Sequence, residues 1–159
     1  MPAGTEFIKH EFDEAIAFQE VVVETGDILA AKHPVADAKK LLKGQLATDK
    51  RHLQTLKKFG KSFGATGKRE EVVESMATLA EETRAKAGEE ESEAYEAHAV
   101  LLTLKRKQQD SADAIVKVAR DRKETDLRDA AMEMKKEIKS GADDLAKSLA
   151  EFAVRIASK

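Results

Sequence analysis

Between Pro34 and Gly60, Leu42, Leu46, Leu53 and Leu56 recur at three-, four- and seven-residue spacing, the period of one helical face. Similar stripes return along the rest of the chain. No segment shows the apolar–polar alternation, rich in β-branched and aromatic residues, that marks a strand. A chain of this kind folds by burying helical stripes against one another. Its 159 residues fit one domain, 1–159, long enough for a sizeable core. The expected class is all-α, an antiparallel four-helix bundle with long or broken third and fourth helices.

Two polar residues interrupt the Leu42–Leu56 stripe. Asp49 fills the slot three after Leu46 and four before Leu53. His52 lies four before Leu56, at the edge of the same face. Three residues apart on a helix, their tips can converge. A buried carboxylate and imidazole each need a partner or a metal, because desolvation of an unpaired polar group is costly.

The punctuation of the chain sets its elements. The first helix is expected from Thr5 to about Ala31 and ends at His33-Pro34, because the residue before proline avoids helical geometry. Pro34 is expected to open the second helix, antiparallel to the first across this short link. Gly60, Gly64 and Gly67 mark a loop over 60–68. A third segment starts near Lys68 or Arg69 and is expected to kink or break at Gly88. Its pattern resumes at Ala94, fades by Gln108, and Asp110-Ser111 is positioned to cap a further piece. A bend is expected at 120–126, which has no apolar face. In the last stripe, Leu127 to Ile156, Ser140-x-x-Asp143 reads as a capping box that could interrupt the helix.

Composition narrows the function classes. With no cysteine, disulfides, thiolate metal sites and cysteine nucleophiles are excluded. No run approaches the roughly 18 apolar residues of a membrane span, and no signal-peptide pattern opens the chain. The reading is a soluble, intracellular, cytoplasmic protein without a transmembrane segment. Charge is segregated: residues 1–31 carry net −6, 32–69 net +9, 70–96 net −8, and the remainder net +3. The favoured reading pairs these charges along the seams between helices. Nucleic-acid binding is disfavoured, since one Tyr and six Phe offer little for stacking on bases. P-loop, nucleophile-elbow and zinc-hydrolase spacings are absent.

Among the four histidines, His10 near the start of the first helix and His33 in the turn are expected to be solvated. His98 shares a face with Ala94 and Leu101, with Glu91 seven residues upstream and Tyr95 three before it. Glu20 and Glu24 sit among the apolar positions of the first helix, and one of them is expected to face the seam.

The stretch Asp49-Lys-Arg-His52-Leu-Gln-Thr-Leu56 resembles the second-helix signature of ferritin-like, especially rubrerythrin-like, bundles. That family carries Glu-x-x-His on this helix and a glutamate on the first, where Glu20 stands in a comparable place. The resemblance implies a ferritin-like fold and a carboxylate–histidine core site for iron or manganese. Iron oxidation or peroxide handling would be the associated chemistry. The chain departs from it at Asp49, one methylene short, and in lacking a second acid-x-x-His. The last helix offers Glu133-x-x-Lys136 and Glu137-x-x-Ser140 instead. On the metal reading the ligands come from Glu20, Glu24, Asp49, His52, Glu91 and His98. On the other reading, His52 and Asp49 pair with residues of neighbouring helices and fix their register. The protein would then be a non-enzymatic bundle acting by association, including as a homo-oligomer.

Overall fold

A computed structural model describes residues 3–159, which form five helices and no strand: α1 Ala3–Lys32, α2 Ala36–Lys61, α3 Glu71–Lys86, α4 Glu91–Asp121 and α5 Thr125–Ala157. The all-α expectation holds. The third segment is two separate helices, divided by the turn around Gly88. The expected fade at Gln108 and the interruption at Ser140-Gly141 do not occur, since α4 and α5 run through them. Both sites lie in the middle of long packed helices, where tertiary burial outweighs local propensity. Helix α2 opens at Ala36, two residues beyond Pro34. No described helix is long and apolar enough to cross a membrane.

Two helix ends are closed by the same local device. After α2, Gly64 has φ 78°, Ala65 N–H donates to Gly60 O at 3.0 Å and Gly64 N–H to Lys61 O at 3.1 Å. After α4, Lys123 has φ 58°, Glu124 N–H donates to Ala119 O at 2.9 Å and Lys123 N–H to Arg120 O at 3.1 Å. Each is a left-handed residue closing a Schellman-type end and satisfying otherwise orphaned carbonyls. The 62–70 connection is then fastened to α1. Asp13 Oδ1 accepts from Thr66 N at 2.7 Å and Gly67 N at 2.9 Å, while Lys9 Nζ donates to Oδ2 at 3.1 Å. Burial alone would push the Asp13 carboxyl up. The Thr66 amide, Lys9 and the Gly67 amide outweigh it and hold the group below its usual range. Gly67 is required there: at φ 80° an added Cβ would lie 2.7 Å from Ile16 Cγ2.

Helices α1, α2, α5 and α4 touch in a closed ring, and α3 lies against α1 and α4. Cross-helix bonds fix the directions. Gln19 meets Asp49 while Phe12 lies beside Gly60, so α1 and α2 are antiparallel. Arg51 meets Glu137 while Gln45 meets Gly141, so α2 and α5 are antiparallel. Asp113 meets Lys135 while Arg106 meets Asp143, so α4 and α5 are antiparallel as well. It follows that α2 and α4 run in the same direction, joined by the crossing segment that contains α3.

The core is not continuous. One apolar cluster contains Phe18, Val22, Leu29, Leu42, Leu101, Leu104, Leu145 and Phe152. The other contains Phe12, Ile16, Leu56, Ile115, Leu127, Met134 and Ile138. On α2 the boundary falls between Leu42 and Leu56, on α4 between Leu104 and Ala112, and on α5 between Ile138 and Leu145. Each half buries several large side chains, at roughly 1.5–3 kcal/mol apiece. What lies between them is polar.

Candidate functional site: a polar layer between two apolar cores

The layer is built from Gln19 of α1, Asp49 and His52 of α2, and Lys105 and Gln108 of α4, all buried. Lys105 is 4% exposed and Asp49 8%, and Lys105 Nζ donates to Asp49 Oδ2 at 2.8 Å. The same ammonium donates to Gln45 Oε1. Gln45 in turn donates to Gly141 O of α5 at 3.0 Å. Gln19 Nε2 donates to Asp49 O at 2.9 Å, and Gln108 Nε2 donates to Ala15 O at 2.9 Å and to Gln19 Oε1 at 3.0 Å. One chain of hydrogen bonds therefore crosses all four helices of the ring. A cleft of about 710 Å³ between α2 and α5 leads to it, lined by Gly44, Gln45, Asp49, Lys105, Glu137 and Gly141 among others.

His52 stands apart within this layer. It is 2% exposed, and neither ring nitrogen has a hydrogen-bond partner. Nε2 lies 3.5 Å from Glu137 Oε1, too long for a good hydrogen bond. Glu137 is held elsewhere by both Nη atoms of Arg51, which with His52 keeps its carboxyl below the ordinary range against the effect of burial. Burial pushes the His52 imidazole down, only partly offset by Glu137 and Asp49, so the ring is favoured neutral.

The six residues named as metal ligands are not brought together. Glu20 faces Lys57 of α2 at 3.7 Å, and Glu24 faces Arg84 of α3 at 3.4 Å. Asp49 is taken by Lys105, and His52 faces Glu137. Glu91 pairs with Lys159 and with Arg155 at 3.4 Å, and these cations lower its pKa. His98 spends both nitrogens on protein partners, His33 Nε2 at 3.1 Å and Leu145 O at 3.1 Å. A metal ion would need several of these groups converging on one point, and the cationic atom nearest Asp49 is the Lys105 ammonium. The six do not fit a common ion. Among the described residues, only His10, Glu11 and Glu14 place three such ligand atoms together. They lie near the surface on α1, and Glu14 already receives Lys107 Nζ.

Two expectations are corrected. His33 is not solvated: it is fully buried against Phe152, with ring centroids 4.8 Å apart. The seam reading of charge holds only in part. Basic α2 and acidic α3 make no contact with each other, so neither can neutralise the other within the chain.

Gln19, Lys105, Gln108 and Gln45 join the layer without standing out in the sequence. A signal was present: Lys105 and Gln108 follow Leu101 by four and seven residues, and Gln19 follows Ile16 by three. No protein-family model, curated protein or solved structure matches this chain.

Proposed function

We propose that this protein is a ferritin-like four-helix bundle without catalytic chemistry, whose polar layer is closed by its own ammonium group and which works by association with further copies of itself. The observation that carries the first half is Lys105 Nζ, buried and 2.8 Å from Asp49 Oδ2. A cation supplied by the chain satisfies the carboxylate that a metal site would use. The α1, α2, α4, α5 ring, with one crossing connection between the parallel pair, supports the ferritin-like reading. In this role the layer fixes helix register, since sliding any one helix would leave buried polar groups unpaired.

Association rests on the two charged faces that the fold keeps apart. Lys43, Lys50, Lys57 and Lys61 line one exposed stripe of α2, while Glu71, Glu74, Glu81 and Glu82 are exposed on α3. Val72 and Leu79 add exposed apolar area beside these acids. Between copies, the basic stripe of one is complementary to the acidic face of another. Sedimentation velocity at about 0.05 M and about 0.5 M salt tests this, because surface charge pairing is screened at the higher value. Assembly is expected at low salt and monomer at high salt. Lys43→Glu with Lys50→Glu is expected to abolish assembly, and mixing that variant with Glu71→Lys/Glu82→Lys to restore it. A monomer under both conditions would overturn the association reading.

A further inference from the structure

His33 and His98 form a hydrogen-bond chain whose proton positions follow from its two ends. Val35 N–H can only donate, and it donates to His33 Nδ1 at 3.1 Å, so that nitrogen carries a lone pair. Leu145 O can only accept, and it lies 3.1 Å from His98 Nε2, so that nitrogen carries a hydrogen. Between them, His33 Nε2 and His98 Nδ1 are 3.1 Å apart. Only one arrangement of two neutral rings satisfies every bond: each carries its proton on Nε2, and His33 donates to His98. A further proton has no acceptor. On His33 Nδ1 it would face the Val35 N–H, and on His98 Nδ1 it would face the His33 N–H.

The chain joins three parts of the fold at one end of the molecule. His33 and Val35 form the α1–α2 corner, His98 is on α4, and Leu145 is on α5. Both rings are fully buried. The charged groups around them oppose an added proton. Lys39 of α2 and Arg155 of α5 place positive charge toward His33. Glu91 of α4 does not offset this freely, since it is already paired with Arg155 and Lys159. Tyr95 of α4 packs on Phe152, which in turn packs on His33. On the α3 side, Lys32 is turned away to Ala85 O.

We infer that the His33–His98 chain is a proton-sensitive latch that holds the α1–α2 corner and the C-terminal part of α5 onto α4, and that protonation opens this end while the other end stays folded. Opening would uncover Phe152, Leu145 and Ile156, an amphipathic face that neutral pH keeps covered. Burial and the neighbouring cations keep His33 well below its ordinary titration range, down to about 4, which supports a closed state at neutral pH.

Amide hydrogen exchange of the full chain between about pH 7 and about pH 5, corrected for intrinsic rates, tests the latch. Below about pH 6.5, protection of residues 33–39 and 145–157 is expected to fall about tenfold per pH unit for each ring that takes up a proton on opening, approaching a hundredfold per unit when both do. Protection around Phe12, Leu56 and Met134 is expected to remain. His33→Phe with His98→Leu should abolish the pH dependence at this end. Because that variant could fail to fold, nitrogen NMR of the wild-type rings is the second measurement. Both rings are expected as neutral Nε2–H tautomers for as long as the corner is protected. A ring that gains a proton while the corner stays closed overturns the proposal, as does loss of protection spread evenly over all five helices.

Discussion

Replacing Lys105 with methionine is expected to lower the unfolding free energy by about 3–5 kcal/mol, because it strands a buried carboxylate without its cation. Asp49 keeps only its backbone bond to Gln19 in that variant, and Gln45 Oε1 loses its donor as well. Urea denaturation at neutral pH measures the loss as a lower midpoint at unchanged slope. The pair as a whole should be worth much less than either half. Asp49→Leu combined with Lys105→Met is expected to recover most of the stability or exceed the wild type, since apolar groups of similar volume avoid both desolvation costs. A single variant within about 1 kcal/mol of wild type would mean that the ion pair is not the closure of the layer.

Acidification is expected to remove a comparable amount of stability well before the carboxylates titrate. Three buried histidines have folded pKa values below the ordinary 6.5: His33, lowered by burial and by the fields of His98, Arg155 and Lys39, and His98 and His52, lowered mainly by burial. The unfolded chain therefore binds protons that the folded chain refuses. Stability is complete above about pH 6.5 and falls as pH drops toward the folded values. For His33, whose folded value is about 4, the loss is on the order of 3 kcal/mol. Asp13 and Glu137 have lowered folded values too, so their contributions are lost only at still lower pH. Urea midpoints between about pH 7.5 and about pH 5 check this, and a flat profile over that window would contradict the buried neutral histidines.

The helical stripes and glycine breaks made the class and most boundaries legible in the sequence. His33-Pro34 and Gly88 fall between helices, and the loop at 60–68 and the bend at 120–126 overlap the connections at 62–70 and 122–124, with their outer residues still helical. Ser140-Gly141 misled, because its capping pattern is local while its role is tertiary. Gly141 lies against the Gln45 side chain and gives its carbonyl to that amide. Asp49 and His52 were legible as polar residues inside a stripe, since the period of one helix reveals what it buries. Their partners were not, because a stripe carries no record of which helix it faces. Lys105 and Gln108 look like ordinary polar positions until α4 is laid beside α2 and α1. His33 departs from expectation for a related reason: a turn next to proline is usually solvated, but here Phe152 of the last helix covers it.

The claim that an internal ammonium closes the polar layer is tested most directly by titrating tag-free wild-type protein with iron(II) and with manganese(II) in a calorimeter. No stoichiometric uptake of either ion at the layer is expected, and no difference from wild type in Asp49→Asn or His52→Ala. Saturable binding near one ion per chain that disappears in both variants would contradict it and restore the carboxylate–histidine metal site.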